Sequence, residues 1–211
     1  MKIFFCGQKS FGYAVLKALH EDGHEIVGVC PPPQIKYYDK TKQYAIRHGL
    51  PVIGDCDKLV SQMIPDETDL IVAAHSHWYI SSQARGRAKY GAIGFHPSLL
   101  PRHRGQDAVR WAVAMGDAIT GATVYRLDDT VDGGDIIAQR HIFVDRSWDY
   151  HDLWKEIFPV GVEMMRKAAS DVESGIATYT EQDDRFATWE PKIESNARLK
   201  RNELIQITAA K

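Results

Sequence analysis

No stretch of this chain is apolar for long enough to span a bilayer. A membrane helix needs roughly 18 consecutive apolar residues, and every apolar run here is of strand length. Charge of one sign is missing as well. Lys and Arg number 26 against 28 Asp and Glu, a formal net charge of −2, which gives no argument for nucleic acid or an anionic membrane as the main partner. The opening MKIFFCG is too short for a signal-peptide core and has no small-residue cleavage site, so the cytoplasm is the expected location. Cysteine is scarce: Cys6, Cys30 and Cys56 are too widely spaced for a disulfide framework or a zinc knuckle. Cys6 and Cys30 sit in strand-like runs and read as buried small hydrophobes. The first glycine segment, Gly7-Gln-Lys-Ser-Phe-Gly12, lacks the GxGxxG spacing that a nicotinamide oxidoreductase requires.

What the chain does have is an alternation of strand and helix patterns. Lys2–Cys6, Glu25–Cys30, Leu70–Ala74 and Ala92–Phe95 read as strands, with a further short strand at Pro51–Ile53. Leu70–Ala74 is apolar throughout, as in a sheet covered on both faces. Phe11, Val15, Leu16 and Leu19 recur at helical spacing before Gly23, and further helices are predicted over Thr41–His48 and from Val109 to Met115, with Gly116 as a stop. The expected fold class is α/β, a doubly wound and mostly parallel sheet. Ala122–Leu127 and Ile136–Val144 are joined by a short turn and should form an antiparallel pair. A last long helix is expected from about Trp148 to Ser174, with Leu153, Ile157, Val162, Met165, Ala169 and Val172 on its inner face and a kink at Pro159. Residues 1–180 read as one domain and 181–211 as a polar extension wrapping its surface.

In such a sheet, ligands bind beyond the carboxyl ends of the strands. His75-Ser-His77 follows one strand, His96 follows another, and Asp132 stands in the turn Asp128-Asp-Thr-Val-Asp-Gly-Gly134. A carboxylate beside an imidazole raises its proton affinity and fixes its tautomer. The pair can then stabilise an oxyanion and accept a proton as an amine attacks a carbonyl. His75, His77, His96 and Asp132 also have ligand chemistry suited to zinc, but the rings of an HxH pair lie together only where the strand has ended. The reading adopted has no metal.

Several ordered segments carry a resemblance. His96-Pro-Ser-Leu-Leu-Pro101, Arg104-Gly105, Thr120-Gly-Ala-Thr-Val124 and Val131-Asp-Gly-Gly-Asp-Ile136 resemble the formyltransferase family. That family includes the catalytic domain of methionyl-tRNA formyltransferase, phosphoribosylglycinamide formyltransferase and the nucleotide-sugar N-formyltransferases. The likeness runs from Lys2 to about Gly175 and is densest over residues 91–137. It implies a Rossmann-like domain that passes a formyl group from the cosubstrate 10-formyltetrahydrofolate to a primary amine. It implies His96 and Asp132 as the catalytic pair, His96 stabilising the oxyanion and Asp132 taking the amine proton. The folate is then expected between Trp78, Tyr79 and Ile80 on one loop and Asp128, Asp129, Thr130 and Val131 on another.

One position departs from the family: Gly94 stands where the family has an Asn whose amide donates to the formyl oxygen. Another donor could replace it, with His75, Ser76, His77 and Gln106 as candidates; the site could run a slower or different acyl transfer; or it could only bind its ligands. Expected acceptor-side residues are Gln8, Lys9, Ser10, His75, His77 and Gln106, with Arg102 and Arg104 contacting an anionic, nucleotide-linked acceptor. The segment after the first strand departs from the glycinamide-ribotide pattern. The residues after Gly175 are too few for the added domain that accompanies tRNA formylation. A small amine, with a nucleotide-linked amino sugar leading, is therefore the expected acceptor. Hydrolysis of the folate, with water replacing the amine, and a silent folate-binding protein are the alternatives. No oligomeric state is implied.

Overall fold

In a computed structural model of the chain, residues 1–32, 39–53 and 59–193 are described. Cys56, Pro33 and the end of the polar tail lie outside them. Six strands form a single sheet: β1 (Lys2–Gly7), β2 (Glu25–Cys30), β3 (Leu70–Ala74), β4 (Ala92–His96), β5 (Ile119–Arg126) and β6 (Ile136–Phe143), in the order β2-β1-β3-β4-β5-β6. The β1–β2, β1–β3 and β3–β4 pairs are parallel. The β4–β5 and β5–β6 pairs are antiparallel, so the expected hairpin extends a parallel half-sheet with two reversed strands. Pro51–Ile53 does not form a strand. Only Val52 bridges to Val29.

Two-residue periodicity divides the strands between two cores. Ile3 and Phe5 of β1, with Leu70, Val72 and Ala74 of β3, face one cluster, while Phe4 and Cys6, with Ile71 and Ala73, face the other. Both cysteines are buried as expected. The first cluster is covered by helix α1 (Lys9–Glu21), through Phe11, Val15, Leu16 and Leu19, and by a long C-terminal helix. Each such large apolar side chain withdrawn from water contributes about 1.5–3 kcal/mol. Helix α2 (Lys40–Arg47) begins on Asp39, whose carboxylate accepts from the Lys42 N–H. The short α3 (Ser82–Arg85) follows β3, and α4 (Ala108–Met115) ends on Gly116 in the left-handed conformation, φ +66°.

The long helix α5 spans Tyr150–Glu173 and contains Pro159. Its start is fixed by a capping box: Asp149 accepts from the His151 and Asp152 N–H groups while the Asp152 carboxylate accepts from the Asp149 N–H. Its inner face includes Leu153, Ile157, Met165, Ala169 and Val172 as expected, with Val162 half-buried against the same cluster and Gly161 and Met164 more deeply buried beside it. No helix among the described residues is long and apolar enough to cross a membrane.

This topology positions the site. Strand order reverses around β1, and β1, β3 and β4 end at the same edge on Gly7, Ala74 and His96. That edge is the switch point at which open α/β sheets hold their ligands.

Candidate active site

His96, the last residue of β4, is 5% exposed. Its Nε2 lies 2.6 Å from the His103 carbonyl oxygen. A carbonyl can only accept, so Nε2 carries the hydrogen and the tautomer is set. Nδ1 is thereby turned toward Asp132, with its Oδ2 at 3.4 Å. An unprotonated Nδ1 and a carboxylate oxygen are both acceptors, so the pair is built to receive one proton between them. Burial holds the His96 imidazole below its ordinary value, against the opposing pull of the Asp132 charge and the His103 carbonyl. Near neutral pH the ring is neutral and the pair is open to a proton.

Asp132 occupies the left-handed region at φ +53°, which Asp tolerates better than most residues. Both of its oxygens accept: Oδ1 from the Tyr125 hydroxyl at 2.5 Å, Oδ2 from the Gly105 N–H at 2.7 Å. The turn behind it is tight. A Cβ on Gly134 would stand 1.9 Å from the Arg126 carbonyl oxygen, so only glycine fits there.

A residue of the polar tail holds this turn from behind. Gln182, 7% exposed, donates from Nε2 to the carbonyls of Asp132 (2.9 Å) and Gly134 (2.7 Å), and its Oε1 accepts from Arg104 Nε and Nη2 at 3.1 and 2.8 Å. The part of the tail that is described thus reaches into the support of the site. Gln182→Ala would strip the Asp132 and Gly134 carbonyls of their side-chain donor and leave the buried Arg104 guanidinium with Asp184 alone as its acidic or amide acceptor. We expect a loss of about 2–4 kcal/mol, read as a Tm lower by on the order of 10 °C. Turnover should fall with it at temperatures where the variant is still folded.

Two cavities meet at Asp132. One, of about 300 Å³, is lined by Trp78, Tyr79, Ile80, Gly94, Tyr125, Leu127, Asp128, Thr130, Val131 and Asp132, among others. The other, of about 710 Å³, is walled by Gln8, Lys9, His96, Gln106, Arg110, Val131, Asp132, Tyr150 and Trp154, among others. His75, Ser76, Phe95, Val131 and Asp132 belong to both. His75 is held at this junction with φ +53°, its ring stacked on Trp154 at 5.4 Å and its buried Nδ1 without a hydrogen-bond partner among the described residues. Burial, helped by the charges of Lys9 and His96, lowers its pKa to about 4, so it is neutral near pH 7.

Most residues singled out in the sequence converge here; five do not. Asp129 turns outward to pair with Arg85 at 2.6 Å. Ser10 is exposed in α1, and His77 is exposed with its ring edge-on to Trp78, so neither lines either cavity. Arg102 makes a two-pronged contact with Asp117, at 2.9 and 2.7 Å. Arg104 is 5% exposed and engaged by Gln182 and Asp184, with Trp189 over its guanidinium. The basic loop therefore does not present its arginines to a ligand: their partners, distant in sequence, hold the loop in place. His103 belongs to the same support, with Nε2 2.8 Å from Asp117 and Nδ1 3.0 Å from Glu190. Positive charge on the larger cavity comes instead from Lys9 and Arg110. Among the described residues, no group of three His, Cys, Asp or Glu side chains is arranged to hold a metal ion.

Five side chains went unread in the sequence: Gln182, Tyr125, Trp154, Arg110 and Tyr150. Gln182 left no local signal. Nor did Tyr125, whose place opposite Gly94 follows only from the antiparallel β4–β5 register.

The geometry can be set beside known proteins. Residues 1–168 match the model of the family described as Formyl transferase. The chain is 33% identical over 211 residues to cytosolic 10-formyltetrahydrofolate dehydrogenase of Xenopus laevis, covering 94% of this chain and 23% of that protein. It is 30% identical over 207 residues to methionyl-tRNA formyltransferase of Acidobacterium capsulatum, covering 90% of this chain and 65% of that protein. It therefore spans less than two thirds of either relative. Its fold matches that of the N-formyltransferase from Helicobacter canadensis, solved with folinic acid and dTDP-3-aminofucose, with a TM-score of 0.75 and 15% identity, covering 93% of this chain and 72% of that one.

Proposed function

The chain belongs to the formyl transferase family, and from that premise we propose that it moves a formyl group from 10-formyltetrahydrofolate to the primary amine of a small molecule. The observation that carries this reading is the placement of the His96–Asp132 pair at the junction of two cavities. A transferase needs two pockets sharing one reactive point, and a buried, proton-accepting pair at that point.

The smaller cavity takes the pterin of the folate, against Trp78, Ile80 and the 128–131 turn. Trp78 is fixed by its indole N–H on the Pro31 carbonyl, and Asp128 holds its turn by accepting from the Thr130 N–H and hydroxyl. The folate supplies a formyl group already activated on N10. Asp132 accepts the proton that the amine loses as it bonds to the formyl carbon. His96, sharing that proton through Nδ1, stabilises the negative charge that grows on the formyl oxygen. The same proton then passes to N10 as its bond to carbon breaks.

The larger cavity takes the acceptor. Its volume of about 710 Å³ suits a drug-sized molecule. Lys9 offers charge for an anionic group, Arg110 being paired with Asp107 at 3.9 Å in the same wall, and Trp154 and Tyr150 offer aromatic surface. A nucleotide-linked amino sugar meets all of these demands and agrees with the ligand of the Helicobacter canadensis structure.

Water as the acceptor is the second reading, favoured by the likeness to a protein whose name carries 10-formyltetrahydrofolate and no amine acceptor. One assay separates the two. The protein is incubated with 10-formyltetrahydrofolate alone, then with a panel of amines that includes dTDP-amino sugars, and formamide product and free formate are measured. Formylated amine is the expected result. Formate released at the same rate with or without an amine establishes hydrolysis instead, and neither product overturns both.

A further inference from the structure

Tyr125 has no part in the reaction as described above. It lies on β5 directly opposite Gly94 of β4 and is 6% exposed. A Cβ on residue 94 would lie 3.3 Å from the Cε1 and Cζ atoms of this ring and 2.7 Å from Leu127 Cδ2. The glycine thus leaves its space to Leu127 and the phenol ring together. The ring joins the wall of the folate-side cavity, and its hydroxyl is bonded to Asp132, the residue both cavities share. His96 approaches Asp132 from the other cavity. Of the three further hydroxyl-bearing residues of the folate-side wall, Ser76 donates to the Trp78 carbonyl, Thr130 donates to Asp128, and Tyr79 is 66% exposed and away from Asp132's hydrogen-bond partners. Among the described residues the Tyr125 O–H is held on Asp132 alone, and it can turn about the Cζ–Oη bond without moving the ring.

We propose that Tyr125 is a further catalytic residue, whose hydroxyl donates a hydrogen bond to the formyl oxygen from the folate side while His96 acts from the acceptor side. This rests on the formyl-transfer reading. As the amine nitrogen bonds to the formyl carbon, the π pair of the carbonyl moves onto oxygen and the amine proton moves to Asp132. A carboxylate that has gained that proton is a weaker acceptor, which frees the Tyr125 O–H to turn to the more negative formyl oxygen. No proton leaves Tyr125. When the pair returns to re-form the carbonyl, the C–N10 bond breaks, N10 takes the proton from Asp132, and the phenol returns to the carboxylate. Burial and the adjacent Asp132 charge raise the phenol well above its ordinary value, which suits a group that donates a hydrogen bond without ionising.

Tyr125→Phe removes one oxygen and keeps the ring that packs on Gly94 and Leu127. The expected result is a kcat lower by about 10²–10³, with KM for 10-formyltetrahydrofolate changed less than about threefold and circular dichroism unchanged. A second readout separates contact with the substrate from support of Asp132. A folate analogue with carbon in place of N10 that carries a trifluoromethyl ketone, which hydrates to a tetrahedral gem-diol like the state after amine attack, is bound alongside the flat 10-formyl-5,8-dideazafolate, and the two affinities are compared between wild type and variant. A donor that engages the oxygen only in the tetrahedral state predicts a loss of at least about tenfold for the first analogue and of less than about threefold for the second. Turnover within about threefold of wild type, or a lost rate with an unchanged affinity for the tetrahedral analogue, overturns the assignment. Wild-type protein that formylates no amine sinks the reading beneath it, which is a separate outcome from an active wild type with an unimpaired Tyr125→Phe.

Discussion

Asp132→Asn should remain folded and lose formyl transfer by about 10²–10⁴ in kcat, the range a positioned proton acceptor supplies. The substitution is nearly isosteric, and Asn tolerates the left-handed backbone at φ +53°. Its amide has one natural orientation. The Gly105 N–H, 2.7 Å away, can only donate, so the Asn oxygen must face it. The NH₂ then faces the Tyr125 hydroxyl, which can accept as well as donate. All local hydrogen bonds survive, and the loss is confined to chemistry. An amide does not take a proton from an attacking amine, and without the carboxylate charge nothing draws a proton onto Nδ1 of His96. Measured kcat with a saturating amine, alongside Tm and folate binding, gives the test. Turnover within tenfold of wild type would show that the proton goes elsewhere. Asp132→Ala is the less informative variant, because it orphans two donors and confounds rate with stability.

The sequence disclosed the parts of this molecule that are local. β1 and β3 were legible because two-residue periodicity and unbroken apolar runs report burial directly, and α1 and α5 because their apolar residues recur at helical spacing. His96 and Asp132 stood out because a titratable residue that ends a buried strand or sits in a glycine-bounded turn has few structural alternatives. Legibility failed where a side chain's fate depends on a distant partner. Arg102 and Arg104 follow a strand end beside the catalytic histidine, and from sequence alone they point at a ligand. Asp117 and Gln182 take them, and no local pattern announces either contact. The missing amide at Gly94 was visible as a loss, but what fills the space was not. Tyr125 belongs to another strand and reaches that position only through the antiparallel β4–β5 register, which neither segment encodes by itself. Pro51–Ile53 failed as a strand for a related reason: apolar content permits a strand, whereas pairing partners decide its length, and only Val52 found one.

His96→Ala should lower kcat by about 10²–10³, the loss expected when a donor to a developing oxyanion is removed, and should destabilise the fold as well. The ring's Nε2–H is the donor to the His103 carbonyl at 2.6 Å in a buried setting. Leaving that carbonyl unpaired costs about 1–3 kcal/mol. The variant also empties a ring-sized space in the wall of the larger cavity. Free imidazole at millimolar concentration is therefore expected to restore part of the rate, since it can enter from that cavity, donate to the His103 carbonyl and face Asp132 with its other nitrogen. The pH profile adds an independent check. Burial places the His96 pKa below the ordinary 6.5, so the ring is neutral near pH 7 and gains a proton only under more acidic conditions. Acidification fills the His96–Asp132 pair before the amine can, and wild-type kcat should fall on a limb that lies below pH 6.5. That limb should vanish in His96→Ala and reappear when imidazole is added, at a pH closer to that of imidazole in water. An acid limb that persists unchanged in the variant would assign it to another group and remove His96 from the proton's path.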